Sequence, residues 1–326
     1  MGKVPTIKDV AREAGVAVGT VSKVVNHIPV REEYQIRVEK AIKKLDYQVN
    51  SYAQGMKSPK THTIALLIPN TKEPYFAALS NEINLALLRR KYRMLLCCTE
   101  SDISREQEYI KMVRRNKTDG MIAAACHTGI ALEEGMRAVS VDCFLGSEIP
   151  CIASDHFAGG QLAAQKLADL GCKKVALLRE GSAMDDEPGR RQAGFFNGCM
   201  MCGLHCETKT ANEKEPYDEF LKFFTDRMRD GRMELDGIFC MSDGLAYLVV
   251  RILEGLGLKA PKDIQVIGFG GVSIFGDGNY LCSTIVQPVR EIAEMCVELL
   301  LRDGWAEKLP LVCFPVAYAC GGTTRC

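Results

Sequence analysis

Up to about residue 48, apolar positions recur at helical spacing. Ile7, Val10, Ala11 and Ala14 share one side of a first segment, Val21, Val24 and Val25 one side of a second, and Tyr34, Val38, Ile42 and Leu45 one face of a third. The pattern predicts three short helices. Thr6, with Asp9 three residues on, starts the first, and Gly15 ends it. The second segment, "VAVGTVSKVVN", is built of glycine and small or β-branched residues and is a poor helix former by itself, so packing of its valines on the other two helices must hold it. Val18, Gly19, Ser22 and Lys23 are left outward. Two short helices joined by a tight glycine turn and braced by a third make a helix-turn-helix arrangement. Small side chains on the outward face let the backbone come close to base edges and phosphates.

From about residue 62 the period changes. "TIALLIPN", "RMLLCCT", "DGMIAAAC", "AVSVDCF", "KKVALLRE", "DGIFCM" and "IQVIGFGG" are apolar runs of strand length, most of them separated by amphipathic segments of helix length. Runs buried on both faces and joined by helices predict parallel, doubly wound sheets. The strands are too many for one compact sheet, so two similar lobes are expected, with a ligand cleft at the carboxyl ends of their strands.

Charge sharpens this division. The chain of 326 residues carries 41 basic and 41 acidic side chains, yet residues 1 to 60 hold 11 Lys/Arg against 6 Asp/Glu, leaving a net −5 for the rest. A small basic module facing a polyanion, joined to a body that does not, fits that asymmetry. The chain opens without a basic-then-apolar leader, and no apolar run approaches the ~20 residues that span a bilayer, so a soluble, cytoplasmic protein is expected, nucleoid-associated when bound to DNA, with no membrane partner. The 15 cysteines lie in apolar segments beyond residue 60, which suits buried thiols in a reducing compartment. Five histidines form no paired zinc motif, and there is no G-x-S-x-G elbow, Walker loop or dinucleotide fingerprint, so neither catalysis nor a cofactor is expected.

Seven fragments in register carry a resemblance. "TIKDVAREAGVAVGTVSKVVN", "KLDYQVNSYAQGM", "NTKEPYFAAL", "RRQAGF", "SDGLAYLVV", "APKDIQVIGF" and "TIVQP" stand in the order and at about the spacing of the lactose-repressor and purine-repressor (LacI/GalR) family, and the chain resembles that family along its whole length. The resemblance implies a helix-turn-helix headpiece over residues 1–49, a hinge helix and linker over 50–61, and a two-lobed, periplasmic-binding-protein-like effector and dimerisation domain over 62–326. It implies a repressor that binds double-stranded operator DNA as a homodimer, with affinity set by a small molecule. Val18, Gly19 and Lys23 fall where relatives read bases; Thr6, Thr20, Ser22 and Asn26 fall among the headpiece positions that meet DNA. Lys23 can reach guanine O6/N7, and Val18 offers an apolar surface to a thymine methyl. Ala17 replaces the usual serine, removing a cap. In the hinge, Asn50 caps, Ala53, Gln54 and Met56 face the minor groove with Met56 as wedge, and Gly55 raises the cost of forming the helix by roughly 1 kcal/mol.

For the cleft, the resemblance implies effector contacts at Asn70, Tyr75, Phe76, Asp142, Arg191 and Ser242, with Tyr75 and Phe76 at the mouth to stack on a sugar or base, and Arg191 reaching a carboxylate or hydroxyl pair. Gly270 and Gly271 stand where the family usually has the aspartate of "GFD". This departure favours a carboxylated or phosphorylated effector, or none, over a neutral sugar; a nucleobase also remains among the classes. "CMMCGLHC", with Cys199, Cys202, His205 and Cys206, has a C-x-x-C spacing, but the segment reads as a helix end followed by a strand start, and packing is preferred to metal. Alternatives are a thiol- or metal-responsive regulator on the same scaffold and a solute-binding protein. The C-terminal "AYACGGTTRC" lacks leucine heptads, which points to a dimer rather than a tetramer.

Overall fold

The computed structural model describes residues 5–25, 28–47, 60–115, 118–124, 126–127, 132, 135–181, 189–212, 215–271, 273, 279–280, 282–302 and 311–325. They form two compact units, Met1–Thr61 and His62–Cys326.

The first unit contains α1 (Ile7–Ala14), α2 (Val18–Val25) and α3 (Glu32–Leu45). Asp9 fixes the start of α1 by accepting from both the Thr6 N–H at 2.9 Å and the Thr6 hydroxyl at 2.7 Å. Gly15 ends it in the left-handed region, and its carbonyl accepts from Arg37 of α3 at 3.1 Å. Val10, Val21 and Val38 are fully buried between the helices, with Ala11, Ala14 and Ala41 filling the narrow space around them. Helix α3 turns its 38–41–45 row to this core, so Ala41 enters it and Tyr34, expected there, stays half-buried at the edge. No side chain caps α2; the Ala17 carbonyl accepts from the Thr20 and Val21 amides.

The second unit has two lobes. In one, β1 (Thr63–Ile68), β2 (Arg93–Cys98), β3 (Gly120–Ala124), β4 (Ala138–Val141), β5 (Cys151–Ser154) and β13 (Val312–Phe314) form a parallel sheet ordered β13-β5-β4-β3-β1-β2. Helices α4 (Pro74–Arg89) and α10 (Val289–Leu301) share one core with this sheet, and α5 (Ile103–Arg115) shares another. In the other lobe, β6 (Lys174–Glu180), β7 (His205–Ala211), β10 (Gly237–Cys240), β11 (Gln265–Gly270), β12 (Ser283–Val286) and β14 (Ala317–Ala319) are ordered β14-β12-β11-β10-β6-β7, with β14 alone antiparallel. Helices α8 (Pro216–Thr225) and α9 (Asp243–Gly255) pack in one of its cores, α6 (His156–Asp169) and α7 (Gly189–Cys202) in another. A small hairpin, β8 (Met228–Arg229) and β9 (Arg232–Met233), follows α8.

Buried central strands match the apolar runs; the edges do not. "RMLLCC" was expected to be buried on both faces, but β2 is an edge strand and Leu96 is 40% exposed. The chain passes between lobes three times, from β5 into α6, from β12 into α10, and from β13 into β14. Ser154 Oγ, at the first crossing, donates to Gln287 Oε1, at the second, across 3.0 Å in the interior. Where α6 meets α7 the backbones nearly touch, because a Cβ on Gly160 would lie 2.1 Å from the Arg191 carbonyl oxygen and one on Gly194 would lie 2.0 Å from that of Phe157. This close seam delivers Arg191 to the crossing.

Candidate functional site

The headpiece presents one face of α2 to solvent. Val18, Gly19 and Lys23 are exposed, Thr20 and Ser22 half-buried, and around Gly19 nothing comes within 4 Å of where a Cβ would stand. Val21 faces inward and anchors the helix. The surface is therefore small, nearly flat and basic at Lys23, shaped to admit a backbone close to another molecule. Thr6 is exposed, but its hydroxyl is committed to Asp9. Asn26, Asn50, Ala53, Gln54, Gly55 and Met56 lie outside the described residues.

In the body, three of the six expected effector residues are brought together. Tyr75 donates its hydroxyl to Asp142 Oδ2 at 3.0 Å; His156 Nε2 donates to Asp142 Oδ1 at 2.7 Å; Arg191 Nε donates to His156 Nδ1 at 3.0 Å. Arginine can only donate, so His156 Nδ1 accepts and the ring is the neutral tautomer with its proton on Nε2. The same guanidinium donates to the Met241 carbonyl at 2.5 Å and lies over the Phe269 ring, 3.6 Å from its centroid. Burial works to raise the Asp142 carboxyl, but the His156 and Arg191 side chains and the Tyr75 hydroxyl outweigh it and hold the group below its ordinary value. Burial, then the neighbouring Asp142 carboxylate, push the Tyr75 phenol well up.

This chain links the lobes, because Tyr75 and Asp142 belong to one and Arg191 to the other, with His156 at the crossing between them. It also departs from the expected roles. Tyr75 is buried to 7% exposure rather than open for stacking, and Arg191 points to His156 and Met241 instead of outward. Phe76 packs edge-on to Tyr75 at 5.4 Å and stays partly open. Asn70 accepts from the Lys72 and Glu73 amides, and Ser242 accepts from the Leu245 amide, so both polar side chains hold turns or caps.

The glycines in place of the family aspartate have a steric cause. Gly270 has φ 148°, and a Cβ there would stand 3.0 Å from Asp243 Oδ2; Gly271 has φ 73°, and a Cβ would stand 2.4 Å from the Val286 Cα. A carboxylate is nevertheless present at this spot. Asp243, the first residue of α9, accepts from the Gly271 amide at 2.7 Å and from Thr284 Oγ1 at 2.6 Å. His156, Glu73 and Asp243 escaped the sequence reading; for His156 the signal was a lone histidine opening an otherwise small and apolar helix, "HFAGGQLAA".

Of the cysteine group, Cys199 is buried, Cys202 donates to Gln165 Oε1 at 3.3 Å, and Cys206 donates to the Glu207 carbonyl at 3.6 Å. Among the described residues, no group of three or more His, Cys, Asp or Glu is placed to hold a metal ion. Among the described residues, too, no helix is long and apolar enough to cross a membrane.

Residues 6–50 match the bacterial regulatory proteins of the lacI family, and residues 164–307 match a periplasmic binding protein-like domain. The chain is 30% identical to a sucrose operon repressor of Pediococcus pentosaceus over 91% of this chain and 92% of that one, and 31% identical, with the same coverage, to a sucrose operon repressor of Lactococcus lactis. A ribose operon repressor of Halalkalibacterium halodurans is 29% identical over 94% of this chain and 92% of its own. The fold matches that of the lac repressor dimer bound to operator and the anti-inducer ONPF, with a TM-score of 0.82 at 21% identity, covering 99% of this chain and all of that one. With a basic helix-turn-helix unit ahead of a two-lobed α/β body, and two relatives at this identity along nearly its full length, the chain belongs to the LacI family of bacterial transcriptional regulators.

Proposed function

We propose that this protein is a homodimeric, sequence-specific repressor that reads a pseudo-palindromic operator through α2 and responds to a small molecule between its lobes. The exposed face of α2 carries this reading: Val18, Gly19 and Lys23 are outward on a helix whose other side is locked into a core, with no structural task of their own on view. Residues 1–49 serve as headpiece, 50–61 as hinge and 62–326 as effector and dimerisation domain. A dimer matches the two-fold symmetry of an inverted repeat.

The effector is best read as an uncharged polyhydroxyl compound. Relatives are named for sucrose and ribose operons, and one solved neighbour with a TM-score of 0.71 is complexed with D-xylulofuranose. The polar groups at the strand ends of the cleft include the carboxyls of Glu73 and Asp243, while Arg191 is engaged with His156 and Met241. That arrangement disfavours an anion, the class the missing aspartate alone suggested. A thiol-responsive reading has little support: burial pushes the Cys97 and Cys172 thiols up to about 11, away from reactive thiolates.

Fluorescence anisotropy with operator DNA tests the reading. Lys23→Ala is expected to relax preference at one base position at a cost of ~1–3 kcal/mol, and a neutral sugar is expected to shift operator affinity where its phosphate ester does not. Equal weakening by Lys23→Ala on every sequence would make Lys23 a phosphate contact; indifference to all sugars would remove the effector assignment.

A further inference from the structure

The lobes also meet at Glu73. This residue sits ahead of α4, where its backbone N–H donates to Asn70 Oδ1 at 3.1 Å and Pro74 opens the helix. Its side chain crosses to the other lobe, and the Gly244 N–H, in the first turn of α9, donates to its carboxyl. The approach is so close that a Cβ on residue 244 would lie 2.6 Å from Glu73 Oε2. Only glycine at 244 leaves room for the carboxyl to reach the helix end.

The surroundings are predominantly acidic. Asp243 on α9, Glu180 at the end of β6, the Cys282 thiol ahead of β12 and Arg191 on α7 face Glu73. Arg191 is the one cation among these four, and its guanidinium already serves His156 and Met241. A carboxylate pressed against Asp243 repels it, whereas a protonated carboxyl keeps its oxygen as acceptor for Gly244 without that repulsion.

We propose that Glu73 and Gly244 form a latch across the lobe interface, which holds the body closed while the carboxyl keeps its proton and loosens when the carboxyl ionises. Burial first, then Asp243, push this carboxyl from 4.5 up to about 7, against the opposing pull of the Gly244 N–H and Arg191. The sign follows from linkage. The closed body binds the proton more tightly than an open one in which Glu73 is hydrated, so closure is fully favoured below 4.5 and weakens as pH rises to about 7. That interval limits the change in the closing constant to ~300-fold. The latch requires neither DNA nor effector, so it stands or fails separately from the repressor reading.

Hydrogen exchange on the full chain, alone in solution, tests it. Protection of the amides in the first turn of α9, corrected for intrinsic exchange, is followed between about pH 5.5 and about pH 8. The wild type should lose tenfold or more of this protection across the range. Glu73→Gln, which keeps the acceptor without the charge, should stay protected throughout. Gly244→Ala should be weakly protected throughout, with β1 and β10 amides unchanged as the check on folding. Wild-type protection that does not change with pH, or a Glu73→Gln protein with the wild-type response, overturns the proposal, and the glutamine variant decides the matter if Gly244→Ala fails to fold.

Discussion

The headpiece and the body assign their polar groups in opposite ways. In the headpiece, a core of valines and alanines holds three helices, while polar and small residues on α2 remain at the surface with Lys23 exposed. In the body, the side chains that looked most available for a ligand are built into the interior: Tyr75, Asp142 and Arg191 are buried and joined through His156. A surface that must meet a rigid, repetitive partner can be left open in advance. A cleft that opens and closes needs groups that define its states, and those groups are satisfied by one another when no ligand is there.

This contrast can be broken most forcefully at Asp142. Asp142→Ala leaves Arg191 and His156 buried without the carboxylate that balances them, and should cost the body about 3–5 kcal/mol in urea unfolding while leaving headpiece helicity intact. A loss below ~1 kcal/mol would mean that the network is not a structural tie. Val21→Ala removes the buried anchor of α2 and should cost about 2 kcal/mol in headpiece stability, read by exchange of its amides, with no change in the body.

The pH dependence sharpens the contrast within the body itself. The Asp142 carboxyl is held low, so its contribution is complete above the ordinary carboxylate range and disappears as pH falls through the depressed value. Glu73 runs the other way, since its raised value removes stability as pH rises from 4.5 to about 7. Asp142→Asn should flatten the acid limb of the stability profile and Glu73→Gln the neutral limb, by denaturant midpoints across the range. The smallest effect concerns the hinge. Gly55→Ala should tighten operator binding by roughly 1 kcal/mol per subunit while leaving non-specific binding nearly unchanged, if the hinge turns helical on the operator.

Much of the fold was legible because central strands and packed helices impose a period. The runs "TIALLI", "GMIAA", "VALLRE" and "GIFC" are central strands, or lie within them, in their sheets. The short or exposed edge strands were harder to see: β7 mixes Glu, Lys and Thr along one half-exposed strand, and β13 and β14 have three residues each. The α2 face was legible for the same local reason, since its inward valines fix which residues point out. The cleft was not. Tyr75 and Asp142 are 67 positions apart, and His156 and Arg191 are 35, so their meeting depends on the three crossings between lobes rather than on any local pattern. The resemblance correctly singled out Tyr75, Asp142 and Arg191 as a group to place together, but it could not reveal that they would bind one another.

The measurement closest to the central claim is selection of DNA from a random pool by the full chain, followed by footprinting of the winning sequence. An inverted repeat protected symmetrically on both halves, with one base position in each half relaxed by Lys23→Ala, is the predicted result. A pool with no shared sequence, or a footprint covering a single asymmetric site, would contradict a dimer that reads DNA through α2.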